Sequence, residues 1–299
     1  MQKKRLLGNS LLILVAVIWG TAFVFQRVGM DYIEPITFNG ARMVLSAVAV
    51  GLVSGLRKNR TGVSDPEEER AYKRNTVIGG ICCGVFLAFA SIFQQMGIVY
   101  TTAGKAGFLT AMYMLLVPVI GFVVFRKRNP LLVWFAVMLG VVGMYLLCMT
   151  ESFHLARGDA LVCICAVLFS GHILCCDHFA VRGDPIRISA IQFLTTAVIS
   201  WTAAFLLESP TPEMIVSAVL PILYCGVVSG GVGYTLQMVA QKFTDPTVAS
   251  LLMSLESVFA VIAGTLILHE QMSRREFAGC VIMFLAILLV QIPKGTEEG

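Results

Sequence analysis

Apolar residues in this chain fall into ten blocks of about twenty, at 6–29, 35–56, 76–98, 103–125, 131–149, 158–180, 187–207, 214–241, 246–269 and 275–292. At a rise of about 1.5 Å per residue, a helix of that length crosses a hydrocarbon core of about 30 Å. Only helices and closed barrels satisfy their backbone inside lipid, and a barrel strand would alternate apolar with polar residues. These blocks are apolar on every side. The pattern predicts an all-α polytopic membrane protein with ten transmembrane helices. Composition agrees, because 57% of the 299 residues are hydrophobic and only 13% are charged, where soluble domains carry about 25% charged residues. Lys3-Lys4-Arg5 followed by the run from Leu6 to Phe25 superficially looks like a signal peptide. The run is longer than a signal-peptide apolar core of about 7–15 residues, and no A-x-A site follows, so it reads as a first transmembrane helix.

Lysine and arginine placement sets orientation. With the N-terminus inside, sixteen of the 22 fall in inner segments, three in outer loops, and Arg27, Arg42 and Lys105 in or beside helices. Both termini are therefore expected in the cytoplasm, with the chain in the plasma membrane, as in a bacterial inner membrane. The polar stretch 57–74 reads as a solvated loop. The chain also repeats. Shifted by 150, Arg42 falls on Gln192, Ala47 on Ala197 and Val48 on Val198; shifted by 143, Gln94 falls on Gln237, Thr101 on Thr244, Leu109 on Leu252 and Gly121 on Gly264. Residues 1–150 and 151–299 thus read as two five-helix repeats. Five is odd, so the second enters the membrane from the opposite side. Inverted repeats of this kind are a signature of alternating-access transporters, with the substrate site at the midplane.

Glu256 is the only charge in the stretch Pro246 to Leu268. It lies roughly 15 Å into that helix, where a carboxylate costs about 2.5–3.5 kcal/mol or more and marks function by default. It is read as the group that binds a cation or amine, or carries a coupling proton; the alternative is a carboxyl satisfied by Ser254 or Ser257. The 143-residue shift places Tyr113 opposite it. Gln94 and Gln237 are amides deep in apolar helices whose donors and acceptors need partners. Trp19, in Ile18-Trp19-Gly20-Thr21, sits too deep for an interfacial belt and is placed to wall a cavity, with Tyr234 as a further candidate. These six form the expected substrate site. Arg42 is expected to snorkel or to pair with Asp31 or Glu34. His172 is a packing residue or proton relay. Gly230 and Gly231, in Ser229-Gly230-Gly231-Val232-Gly233, offer a hinge or a close helix contact. His172, Asp177 and His178 have poor geometry for one metal, and no metal or cofactor is expected. The nine cysteines read as small buried hydrophobes. A net charge of +4 without a basic, aromatic-interleaved cluster gives no nucleic-acid surface.

Ile18-Trp19-Gly20-Thr21-Ala22-Phe23, Arg42, the run Thr102-Ala103-Gly104-Lys105-Ala106-Gly107-Phe108-Leu109-Thr110 through Val117-Pro118-Val119, Ser254-Leu255-Glu256-Ser257-Val258-Phe259-Ala260, and His269-Glu270 occur in an order that resembles the drug/metabolite transporter superfamily. The likeness is to its EamA-type ten-helix branch, over nearly the whole chain. That pattern often has proline after the helix-nine glutamate, where this chain has Ser257. The resemblance implies an inner-membrane carrier, commonly an exporter of amino acids, metabolites or small drugs, working by alternating access around a central cavity. No P-loop, dinucleotide fingerprint, G-x-S-x-G or H-E-x-x-H is present in the sequence. The expected function is therefore secondary transport, as exporter or exchanger, of a small-molecule substrate, with a coupling proton as a candidate partner besides membrane lipids. It is not expected to be an enzyme. The competing readings are an integral-membrane enzyme and a ligand sensor without transport.

Overall fold

A computed structural model describes residues 2–57, 65–101, 103–127, 129–148, 157–268 and 273–291, and among these the only regular elements are helices. In chain order they are α1 (Gln2–Gly29), α2 (Pro35–Leu56), α3 (Pro66–Ile98), α4 (Ala103–Ala111), α5 (Tyr113–Phe125), α6 (Leu131–Cys148), α7 (Arg157–Ala180) and α8 (Pro185–Leu207). There follow α9 (Pro212–Ser217), α10 (Val219–Leu223), a π-helical segment (Tyr224–Tyr234), α11 (Thr235–Ala240), α12 (Pro246–Met253), α13 (Glu256–Leu268) and α14 (Arg274–Gln291). Among the described residues, eight stretches are long and apolar enough to cross a membrane: α1, α2, α3, α4 with α5, α7, α8, α10 through α11, and α12 with α13. The other two expected helices, α6 and α14, carry shorter apolar stretches at Leu131–Gly143 and Phe277–Ala286. His269-Glu270 and the 58–64 part of the long polar stretch lie outside the described residues.

Two boundaries differ from expectation, each for a local reason. The stretch 57–74 is not all loop, because α3 begins at Pro66. Asp65 caps it by accepting from the Glu67 amide at 3.1 Å, and Glu67, Glu68 and Glu69 fill the first turn, where the helix dipole favours acids. A charged helix end outside the hydrocarbon has no apolar signature, so the pattern missed it. The run from Pro246 to Leu268 is also not one helix. It breaks at Ser254-Leu255, where the Leu255 amide reaches back only three residues, to the Leu252 carbonyl. The hydroxyls of Ser250, Ser254 and Ser257 each bond a carbonyl three residues back, a pairing that competes with the helical ladder. The span formed by α4 and α5 breaks 143 residues earlier, at Met112, with the same three-residue contact from Met112 to Leu109.

Packing joins elements far apart in sequence. The main pairs are α2 on α8, α3 on α7 and α8, α1 on α13, and α6 on α14. In lipid such contacts rest on close van der Waals fit between small residues rather than on hydrophobic driving force. A Cβ at Gly20 would stand 2.7 Å from the Glu256 carbonyl, and one at Gly97 would stand 2.9 Å from the Gly158 carbonyl, so α1 meets α13 and α3 meets α7 backbone to backbone. Leu12, Ala16, Leu87, Met114, Phe193 and Leu252 fill the interior, while Leu52, Val123, Phe125 and Phe205 face outward. Carboxylates clamp α2 to α8 at both ends. Glu208 accepts from the Ile36 and Thr37 amides at 2.8 and 2.7 Å, Glu34 accepts from the Ser209 amide at 2.9 Å, and Arg57 reaches Asp184 at 3.5 Å.

Candidate functional site

The breaks and the close helix contacts converge on one small buried cavity. Trp19, Phe23 and Gln26 of α1 line it with Arg42 of α2, Gln94 of α3, Thr110 of α4 and Tyr113 of α5. Phe169 of α7, Ser229 and Tyr234 of the π-helical segment, and Glu256 of α13 complete the wall. The open space is about 20 Å³ for water centres, room for a water or two and for no metabolite. Its polar groups, Gln26, Arg42, Gln94, Thr110 and Glu256, are all buried.

Glu256 is 3% exposed, and its Oε1 accepts from the Tyr113 hydroxyl at 2.9 Å. The repeat shift that paired these two residues in sequence pairs them in space, each at the first position after a helix break. Ser254 and Ser257 do not satisfy the carboxyl, because their hydroxyls are spent on the backbone carbonyls of Leu251 and Ser254.

Arg42 departs from its expected role. Asp31 pairs with Arg27 at 3.1 Å and Glu34 is taken by Ser209, so neither acid is left for it. Its side chain is 2% exposed and points into the cavity. Asn39 holds it by accepting from Nε at 2.9 Å, and Asn39 is itself fixed by donating to Ser91 and Ser200, each at 2.9 Å. The Phe38 ring lies 5.7 Å from the guanidinium carbon, a cation–π contact. Nη2 has no hydrogen-bond partner. Arg42 and Glu256 thus share one cavity without forming an ion pair. Of the two, Arg42 keeps an unmet donor at Nη2.

Trp19 donates from its indole N–H to the Ser229 carbonyl at 3.2 Å and lies 4.6 Å from the Tyr234 ring. That carbonyl belongs to the π-helical segment, whose wider winding breaks the normal backbone ladder. Ser46 bonds the Gly226 carbonyl of the same segment at 2.6 Å. Gly230 packs directly on Ser46, and Gly231 lies near Ala49 and Val50. The glycine-rich stretch therefore makes a close contact through an altered helix. Gln94 lines the cavity and donates to Thr110 at 3.1 Å.

One residue of the expected substrate site, Gln237, does not reach the cavity, and His172, expected to pack or to relay protons, lies behind it. Gln237 is buried in α11 with neither amide atom partnered. His172 stands behind Tyr234 at 5.8 Å between ring centres, with its Nε2 3.1 Å from Gln192 Oε1. Sequence reasoning missed Gln26, Thr110 and Phe169 among the lining residues, and Asn39 as the support for Arg42. Gln26, an amide in an apolar helix, carried the same signal as Gln94. Thr110 and Phe169 carried none, since both residue types are ordinary in transmembrane helices.

The chain is similar to a transporter of Archaeoglobus fulgidus known only as an uncharacterized transporter, at 28% identity over 295 residues, covering 97% of this chain and 87% of that one. It is similar to the uncharacterized transporter YoaV of Bacillus subtilis at 22% identity, covering 93% of this chain and 94% of that one. A WAT1-related protein of Arabidopsis thaliana matches at 25% identity over 48% of this chain and 40% of its own length. A solved crystal structure shares the fold with a TM-score of 0.74 at 16% identity, over 95% of this chain and 96% of that one. The model of the EamA-like transporter family matches residues 6–149 and 156–292. With eight apolar helices of membrane length and a family match over nearly its whole length, this multi-pass membrane protein belongs to the EamA-like transporter family, within the drug/metabolite transporter superfamily.

Proposed function

We propose that the protein is a secondary transporter that moves a small, charged metabolite, such as an amino acid or a drug-like molecule, by alternating access, as exporter or exchanger. The observation that carries this reading is a buried guanidinium, Arg42, and a buried carboxyl, Glu256, lining one small cavity. A guanidinium nitrogen left without a partner in a membrane interior is costly unless something arrives to use it. Glu256, anchored by Tyr113, takes the cationic group of the substrate or a coupling proton, and Arg42 takes an anionic group. Trp19 and Tyr234 wall the site, and Gln94 and Gln26 supply amide contacts. A cavity too small for a metabolite fits an occluded state between outward and inward opening.

Two inverted five-helix repeats, 1–150 and 151–299, with ten crossings and both termini in the cytoplasm, are the architecture proposed for this movement. Several observations support it. The family model matches in two stretches. The two helix breaks stand 143 residues apart. The packing pairs exchange into one another when the halves are swapped: α7 on α3 answers α1 on the π-helical segment and α11, and α7 on α5 answers α1 on α13.

The test is a thermal-shift screen of amino acids, nucleosides and quaternary amines on purified protein, followed by counterflow in proteoliposomes with any hit. We expect counterflow that falls at least about tenfold in Glu256→Gln, the loss expected for one charged contact. Binding without counterflow would sink the transporter reading in favour of a ligand sensor. Unchanged flux and unchanged pH dependence in Glu256→Gln would remove that residue from the mechanism.

A further inference from the structure

A buried polar atom without a hydrogen-bond partner is costly, and folded proteins keep few of them. Arg42 Nη2 and Gln26 Oε1 are two, and both residues line the central cavity. A second group lies beyond Tyr234, outside that cavity: Gln192 Nε2, Gln241 Oε1 and both amide atoms of Gln237. Tyr234, Gln237 and Gln241 follow one another at spacings of three and four residues, so they share one face of α11 and its flanks. The Tyr234 ring meets His172 of α7 edge-on at 5.8 Å, and Gln241 donates to the Ile173 carbonyl of α7 at 3.0 Å. Gln237 stands between Tyr234 and Gln241 on that face. On α7, His172 Nε2 is 3.1 Å from Gln192 Oε1 of α8 and 3.5 Å from the Cys176 sulfur. The result is a buried polar seam of amides and one imidazole between α7, α8 and α11, joined to the central cavity by Tyr234.

The seam and the cavity lie toward opposite faces. Gln26 is three residues from the end of α1, Gln94 four from the end of α3, and Arg42 seven from the start of α2. In the sequence-derived topology those three helix ends are outer. Gln192 is seven residues from the start of α8, and Gln241 directly follows α11; these helix ends are inner. The sequence shifts of 150 and 143 set Gln192 on Arg42 and Gln237 on Gln94. So the polar residues of the seam are the mates of residues that line the cavity. Where two inverted repeats rock about a fixed site, opening at one face repeats at the other, and mates trade places.

We propose that Gln192, Gln237 and Gln241 line the inner half of the substrate's route, which opens between α7, α8 and α11. Each amide both donates and accepts, so together they keep the substrate's polar groups hydrogen-bonded after they leave Arg42 and Glu256. The route therefore favours substrates rich in hydrogen-bonding groups over apolar ones of the same size. This inference rests on the alternating-access reading given above.

Cys176, beside His172 in the seam, is a reporter already present in the chain. A buried thiol stays inert until water reaches it and the thiolate forms. Right-side-out and inverted membrane vesicles holding the full chain are treated with 2-sulfonatoethyl methanethiosulfonate, a charged reagent that does not cross lipid. Labelling of each cysteine is then read by peptide mass spectrometry. Cys176 is labelled at least about tenfold faster from the inner face than from the outer, as expected for an inward-open state that is sparsely but measurably populated. Cys225, buried against the Ala22 carbonyl of α1, stays unlabelled from the inner face and controls for unfolding. Gln237→Leu makes the open seam more apolar and slows Cys176 labelling several-fold; the wild-type measurement stands even if this variant fails to fold. Cys176 silent from the inner face, labelled equally from both faces, labelled together with Cys225, or labelled at an unchanged rate in Gln237→Leu overturns the route. Wild-type counterflow with Cys176 silent removes this route and spares the transporter reading; silence together with no counterflow removes both.

Discussion

The hydrogen bond from Tyr113 to Glu256 is the most exposed point of the functional reading, because a single oxygen decides it. Tyr113→Phe keeps the ring and removes a charge-assisted bond of about 1.5–3 kcal/mol. We expect the variant to purify normally and to lose about tenfold or more in counterflow; full activity would show that Tyr113 only packs. Asn39→Ala should behave differently. It strips the Arg42 Nε partner and leaves Ser91 and Ser200 without their donor, so melting should fall by the equivalent of about 1–3 kcal/mol as well as activity being lost. Gln237 gives the opposite sign. Both its amide atoms are buried without partners, so Gln237→Leu should stabilise the protein by roughly 1–3 kcal/mol while slowing counterflow. That pairing of effects, read by thermal shift and flux together, is expected if the amide becomes hydrated when the cavity opens. At this scale the sequence was informative about charge and silent about direction. A lone glutamate in an apolar run announces itself, and its repeat mate Tyr113 follows from a shift of 143. Which way Arg42 turns depends on Asp31 and Glu34 being engaged elsewhere, and one-dimensional spacing does not hold that information.

The elements carry their own test in the contact between α1 and α13. Gly20 lies directly against the Glu256 carbonyl and the Ala260 amide, which leaves no room for even a methyl group. Gly20→Ala therefore forces the two helices apart at the depth of the site, and overpacking of this kind costs about 1–3 kcal/mol. We expect a lowered melting temperature together with weakened binding of any hit from the ligand screen; an unchanged melting curve would mean that α1 and α13 slide without resistance. Helix existence was legible because apolar blocks of membrane length rarely form anything but spanning helices. Breaks within the blocks were not, since Met112 and Leu255 are ordinary helix formers, and at Leu255 the serine hydroxyls that compete for carbonyls show only in the structure. The π-helical winding over Tyr224–Tyr234 was half legible. The glycines marked a soft stretch, but the altered winding shows only once Ser46 and Trp19 are seen bonding its carbonyls.

Across the whole molecule, the principal helix pairs run between the part before residue 149 and the part after 156: α2 with α8, α3 with α7 and α8, α1 with α13, and α6 with α14. The two stretches that the family model matches are thus not separate bodies in space. Their interleaving is not read from spacing, because partner choice depends on which glycine meets which backbone. This interleaving has a consequence for synthesis. A ribosome delivers α1 through α6 before a single residue of α7, α8 or α13 exists, so Asn39 then lacks Ser200, Trp19 lacks Ser229 and Tyr113 lacks Glu256. A nascent chain truncated after residue 150 holds Asn39, Trp19 and Tyr113 in lipid without these partners, and it should be short-lived in cells, cleared by membrane quality control unless the missing half is supplied in trans.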